Sequence, residues 1–172
     1  MPWISESCLT NALEAQALHY AGRDEEAVDR LNKTFEINPD FWIARLMLAR
    51  IYIGQSRWND AIAELEKARA ASGGNTETIS LTAYALARSG RSDEARKAVD
   101  EFQNGADQGY VPSYKYRLAY NGLGESGQAF HCLYDAIERR DVRLILLKVD
   151  HKWDNLRSDA RFLSIIKRIG LE

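Results

Sequence analysis

Glycine and proline together supply only 14 of the 172 residues, too few for a turn-rich β-sandwich. Cysteine is nearly absent. Cys8 and Cys132 stand far apart, without CxxC or Cys/His spacing, so neither a disulfide framework nor a zinc site is indicated and both read as buried small hydrophobes. No run of 18 apolar residues is found, and Met1-Pro2-Trp3-Ile4 passes at once into Ser5 and Glu6, so no membrane span and no signal-peptide core is read. Charge of one sign is lacking too: 23 basic against 25 acidic residues leave −2, and binding to nucleic acid or an anionic membrane would need a local basic patch. His19, His131 and His151 have no partner at metal-ligand or triad spacing, and HExxH, GxSxG, a Walker loop and a dinucleotide fingerprint are all missing. These absences point away from an enzyme and call for no cofactor. GLGESG at 122–127 has no Lys-Ser/Thr behind it and reads as a turn.

What the chain has is alanine (22), leucine (18) and 45% apolar residues overall, enough for a helical protein with a real core. It also has a period. Ala27, Ala61, Ala95 and Ala129 are spaced by 34 residues. Five positions before them stand Gly22, Ser56, Gly90 and Gly124; nine before stand Leu18, Tyr52, Leu86 and Tyr120; four after stand Leu31, Leu65, Val99 and Leu133. Each unit reads as two helices. In the second unit Leu48, Ala49, Tyr52 and Ile53 form one helical stripe, and Ala61, Ile62, Leu65 and Ala68 form another beyond a turn at 55–57. The glycines suit left-handed helix ends, Asp24, Ser92 and Ser126 are expected to cap the second helices, and the alanines allow close helix approach.

This pattern resembles the tetratricopeptide repeat over residues 8–138, with the second unit closest to it: Leu48, Ala49, Tyr52, Trp58, Ala61, Leu65 and Ala68 are in place. The first helix of unit one is weakest, since Asn11 and Glu14 fall where large apolar residues are usual. The fold implied is all-α, a right-handed α-α superhelix (a TPR solenoid) of four helix pairs plus a C-terminal capping helical segment. A single domain is expected over 1–172, with repeat units at about 8–39, 42–73, 76–107 and 110–141 and the cap at 142–172. Residues 109–130 and 146–171 also look like the C-terminal repeat region of bacterial multidomain signalling proteins, in which such repeats follow winged-helix, Ser/Thr kinase, cyclase or TolB-like domains. That likeness implies a regulatory or protein-binding module, and the abrupt start suits a domain of a longer parent that would set its localisation: cytoplasmic, or extracytoplasmic if the parent is membrane-anchored.

Segment 142–149 is ambiguous between strand and helix, and the repeat context favours helix. Ser158 or Asp159 should cap a last helix whose Phe162, Ile165, Ile166 and Ile169 share a face up to Gly170, with Trp153 and Leu156 beside its start. The stretch reads as a partner-docking motif or, preferentially, as a lid on the repeat core. Residues 1–40 carry three basic and eight acidic groups, whereas 139–172 carry nine and five, so the field is dipolar. Arg139, Arg140, Arg143, Arg161, Lys167 and Arg168 are a candidate anion-binding patch, against the plainer reading of a solvated face.

In the family, the first helix of each unit lines the concave face. Carried over residue by residue, this implies a groove of Gln16, His19, Tyr20, Arg50, Ile53, Tyr84, Arg88, Tyr114, Leu118 and Asn121. The chaperone-tail clamp of some relatives is disfavoured, because Ala12, Gln16, Met47, Glu77 and Leu81 hold its positions. Two functions are expected: a non-catalytic scaffold binding a protein or peptide in bacterial signalling, or a small-ligand-sensing or self-association module regulating an attached effector. No nucleic-acid binding and no membrane insertion are expected, and a homo-oligomer is allowed. A peptide partner would carry an acidic group for Arg50 and Arg88, with Glu77 opposing.

Overall fold

The computed structural model describes residues 6–104 and 116–171. The described residues are helical and contain no strand. The α-helices are α1 Glu6–Tyr20, α2 Asp24–Ile37, α3 Trp42–Gly54, α4 Trp58–Ala71, α5 Thr76–Arg88, α6 Ser92–Asn104, α7 Arg117–Gly122, α8 Ser126–Glu138 and α9 Ala160–Arg168. Two 3-10 helices, Val142–Leu146 and His151–Leu156, separate α8 from α9. The 34-residue period is therefore a helix-turn-helix repeat.

The turn between the helices of each pair explains two of the sequence columns. Gly22, Gly90 and Gly124 have φ of 75°, 87° and 76°, and Ser56 takes the same left-handed position at 58°. Beyond each, the amide of Arg23, Arg57, Arg91 or Glu125 donates to the carbonyl of Leu18, Tyr52, Leu86 or Tyr120 at 2.8–2.9 Å. This closes a Schellman end that uses carbonyls the helix leaves without partners. The expected side-chain caps are not formed. Asp24, Ser92 and Ser126 are already the first residues of their helices, one position too late to cap them, and α2, α4 and α8 begin without a side-chain cap bond. Ion pairs three residues apart stand there instead: Arg23 to Glu26, Arg57 to Asp60 and Arg91 to Glu94, at 2.6–2.8 Å. The fourth unit carries Glu125 in that column, and it meets Arg96 at 3.3 Å.

The chain divides into two compact units, Met1–Thr78 and Ile79–Glu172, with the division inside α5. In the first unit α1 packs on α2, α3 packs on α4, and α3 also touches α1 and α2. Its core holds Ala27, Ala61, Leu31, Leu65 and Cys8, all fully buried. The weak first helix forms nonetheless. Glu14 faces water and pairs with Arg30 of α2 at 3.1 Å, a charge holding the two helices where an apolar side chain was expected.

In the second unit Ala83, Val99, Tyr116, Ala119 and Cys132 make one cluster drawn from α5 to α8. α7 packs on α8, and α9 packs on α8 from beyond the 3-10 segment. Asp159 caps α9 through the Arg161 amide at 2.8 Å, and Phe162, Ile165 and Ile166 are buried, as the sequence predicts. Segment 142–149 is neither strand nor α-helix: Val142–Leu146 is a 3-10 helix and 147–149 a turn that continues it. A 3-10 helix repeats every three residues, and burial follows that period: Leu144 and Leu147 are buried, whereas Val142, Ile145 and Lys148 are exposed. A run in which buried and exposed apolar residues alternate by threes shows neither the strand nor the α-helix pattern.

Candidate functional site

The sequence assigns a groove to the first helix of each pair, and the two units treat the corresponding residues differently. In the first unit the residues are Gln16, His19 and Tyr20 on α1 and Arg50 and Ile53 on α3. Arg50 is buried at 8% exposure and joins two groups: Nη1 donates to the Tyr20 hydroxyl at 3.1 Å, and Nη2 pairs with the Glu77 carboxylate. Arg50 is thus already neutralised within its own unit, which corrects the expectation of an arginine open to an acidic ligand. An incoming carboxylate would have to displace Glu77 first.

His19 is buried and donates from Nδ1 to Asp24 at 2.8 Å, tying the end of α1 to the start of α2. Asp24 also accepts from the Gln55 amide at 3.2 Å. Gly54 ends α3 beside this histidine, and a Cβ there would lie 3.1 Å from His19 Cε1. His19 is therefore a structural element of the helix pair, as is Ile53, which is buried at 4%. What faces outward in the first unit is a half-buried Gln16 and Tyr20 beside the Arg50–Glu77 pair.

In the second unit the assigned residues are Tyr84 and Arg88 on α5 and Leu118 and Asn121 on α7, while Tyr114 lies outside the described residues. This face is filled by the chain itself. Asn121, only 2% exposed, donates from Nδ2 to the main-chain carbonyl of Lys152 at 2.6 Å and accepts through Oδ1 from Asn155 Nδ2 at 2.8 Å. The Tyr84 hydroxyl reaches the same Lys152 carbonyl at 3.4 Å. Burial pushes that hydroxyl up to about 12, against the pull of the Arg88 charge. Lys152 is itself buried and pairs with Asp150 at 2.7 Å, and Trp153 next to it is 2% exposed. Tyr84 and Asn121 therefore seat the 3-10 helix His151–Leu156, Leu118 is buried, and none of the three offers an open lining, whereas Arg88 remains exposed. Gly122 sets how closely this seat closes: a Cβ there would come within 3.1 Å of the Tyr84 main chain, so only glycine lets α7 lie on α5 at this distance.

The basic C-terminal face is largely spoken for. Arg139 pairs with Asp135, Arg161 with Asp159 and Arg168 with Glu138, at 2.7–3.0 Å. Arg143 lies 2.9 Å and Arg117 3.6 Å from Asp141. Burial acts to raise the Asp141 carboxyl, but hydrogen bonds from Arg143 and the charges of Arg117 and Arg143 prevail and hold it below its usual value. Tyr52, on the helical stripe of the second repeat unit, is half-buried with its ring face covered by the Arg57 guanidinium at 4.2 Å. Among the described residues no group of three or more His, Cys, Asp or Glu side chains is placed to hold a metal, and no helix is long and apolar enough to cross a membrane.

Two groups that matter, Lys152 and Asn155, are outside the predicted groove, and Glu77, read only as opposing an acidic ligand, is the direct partner of Arg50. Glu77 was legible, as the acid on the next first helix after Arg50; Lys152 was not, because it takes part through a main-chain carbonyl that any residue carries.

No curated protein and no solved structure matches the chain. One family model does: residues 18–71, from the last three residues of α1 to the end of α4, match the tetratricopeptide repeat, a repeat that generally mediates protein–protein interaction.

Proposed function

We propose that the protein is a non-catalytic protein-binding module whose partner, an extended peptide segment or helix, lies on the first-helix face of the first unit. The observation that carries this reading is the half-exposed pair Gln16 and Tyr20, with Tyr20 bonded to the buried Arg50 that Glu77 neutralises, inside the residues that match the repeat family or next to them. Gln16 has an amide that both donates and accepts, and Tyr20 adds a flat apolar ring with a hydroxyl, so the surface suits a partner's main-chain groups and a packed side chain. Because Glu77 neutralises Arg50, the ligand needs no acidic group. The four-unit register with its cap reads as a single repeat domain. The resemblance of 109–130 and 146–171 to signalling-protein repeats supports a scaffold or regulatory role in a bacterial signalling protein, with the module in the cytoplasm.

A peptide array probed with the full chain tests the proposal, followed by the double variant Gln16→Ala/Tyr20→Ala. The expected result is at least about a tenfold loss of affinity for the best binder, as for removal of a central contact pair. An array without binders, or a variant that binds as well as the parent, overturns it.

A further inference from the structure

Six large apolar side chains are exposed among the described residues, and three of them, Val142, Ile145 and Val149, fall within eight positions of the second unit. Val142 and Ile145, 76% and 66% exposed, are three apart on the first 3-10 helix, and that geometry puts them on one face; Lys148 stands three residues further on. Arg140 stands at the entry to the helix. The carboxylates around this face are engaged elsewhere: Asp135 by Arg139, Asp141 by Arg143 and Arg117, Glu138 by Arg168. Among the described residues neither Arg140 nor Lys148 has a carboxylate partner. The result is an apolar patch with a cationic rim.

A face of opposite character is present on the first unit. Ala27, Leu31 and Thr34 bury one side of α2, and the helical spacing places Glu25, Asp29 and Glu36 on the other, with Lys33 the one cation among them. All three acids are exposed and take no part in an ion pair among the described residues, and Ile37, 56% exposed, adds an apolar side chain at the end. The excess of acid in 1–40 and of base in 139–172 extends this match beyond the contact itself.

We infer that the Val142–Ile145 patch of one molecule docks the outward face of α2 of a second copy, head to tail. The occupant is this chain because it carries both the apolar anchor and the complementary charge that the patch requires. The contact is heterologous: each molecule contributes a different face, and each retains one unused face after pairing. Three exposed apolar side chains and a few charge pairs make a small interface, so association is concentration-dependent and weakened by salt. This goes beyond the peptide-binding reading, because none of its residues belongs to the Gln16–Tyr20 cluster.

Sedimentation velocity on the full chain tests it from about 20 µM to about 1 mM at low salt, with a parallel series at about 500 mM salt. The expected result is a weight-average mass that climbs with concentration and falls back in salt, and that Ile145→Asp lowers by weakening association at least about tenfold. Two charge-reversed variants sharpen the test: Arg140→Glu/Lys148→Glu on the patch and Asp29→Lys/Glu36→Lys on α2. Each alone should stay monomeric, while a mixture of the two should associate, since the reversed patch of one then meets the reversed helix of the other. All the substituted positions are exposed, and a far-UV circular dichroism melt confirms that each variant is folded. A parent that stays monomeric throughout overturns the inference, as does association that Ile145→Asp leaves intact, or a mixture that shows no rescue.

Discussion

The first-helix faces of the two units occupy the same columns of the repeat, yet one leaves Gln16 and Tyr20 half-exposed beside a self-paired arginine and the other is filled by the chain's own turn. Gln16, Arg50, Tyr84 and Leu118 stand 34 residues apart, as do His19, Ile53 and Asn121 at single or double multiples of that spacing. In the first unit Arg50 holds Tyr20 and Glu77 in a polar cluster at the surface; in the second, Tyr84 and Asn121 hold a carbonyl of the chain's own 3-10 turn. The lesson concerns what a register can say. It fixes the face on which a side chain sits, because helix geometry is the same in every repeat, but not what occupies the space in front of it.

The largest test of this contrast is Trp153→Ala. Removing a buried indole from the turn that fills the second unit should cost about 3–5 kcal/mol, read from urea denaturation followed by far-UV circular dichroism; a loss below about 1 kcal/mol would mean that the turn is only loosely held. Next comes Asn121→Ala, which removes the shorter of the two hydrogen bonds to the Lys152 carbonyl, leaving it only the Tyr84 hydroxyl at 3.4 Å, and also removes the bond from the exposed Asn155 amide; it should cost about 1–2 kcal/mol. The corresponding change on the open face, Gln16→Ala, should stay within about 0.5 kcal/mol, and equal costs would erase the distinction between the faces.

A pH series separates them by another route. Folding raises the Tyr84 hydroxyl from 10.0 to about 12, so its contribution is complete below pH 10 and is lost as pH climbs from 10 towards 12. Cys132, raised by burial from 9.0 to about 12, weakens the same unit over a window that opens one pH unit earlier. The denaturation midpoint should therefore fall on going to alkaline pH, and Tyr84→Phe should remove part of that fall; a Tyr84→Phe profile parallel to the parent's would contradict the burial of the hydroxyl. A further contrast separates two glycines, one in each unit. Gly122→Ala meets main chain and should cost about 1–3 kcal/mol, while Gly54→Ala meets only a side chain, the His19 ring, which has to shift by a few tenths of an ångström within its bond to Asp24. The better helix propensity of alanine, worth up to about 1 kcal/mol, should leave Gly54→Ala near neutral.

Much of the fold is legible in the sequence because it depends on sterics that repeat. Ala27, Ala61, Ala95 and Ala129 are each fully buried, and the small residue five positions earlier has a positive φ in all four units. Asp159 and the buried face of α9 are equally readable, since a cap and an amphipathic stripe are local. The caps assigned to Asp24, Ser92 and Ser126 fail on a one-residue offset that only the backbone reveals. The candidate site is less legible, because its decisive partners are nonlocal: Glu77 lies 27 residues from Arg50, and Lys152 lies 31 from Asn121.

The 3-10 segment also fixes a length. With three residues and about 6 Å per turn, every residue added or removed within Val142–Leu146 rotates the downstream chain by a third of a revolution and shifts it by about 2 Å. Leu144 and Leu147 would leave the interior and a different row would enter it, while the carbonyl of Lys152 would be carried out of hydrogen-bonding reach of Asn121. An ordinary surface loop absorbs an inserted residue as slack. This stretch behaves as a spacer cut to measure, and homologous chains that keep the Trp153 plug should vary here in composition but not in residue count.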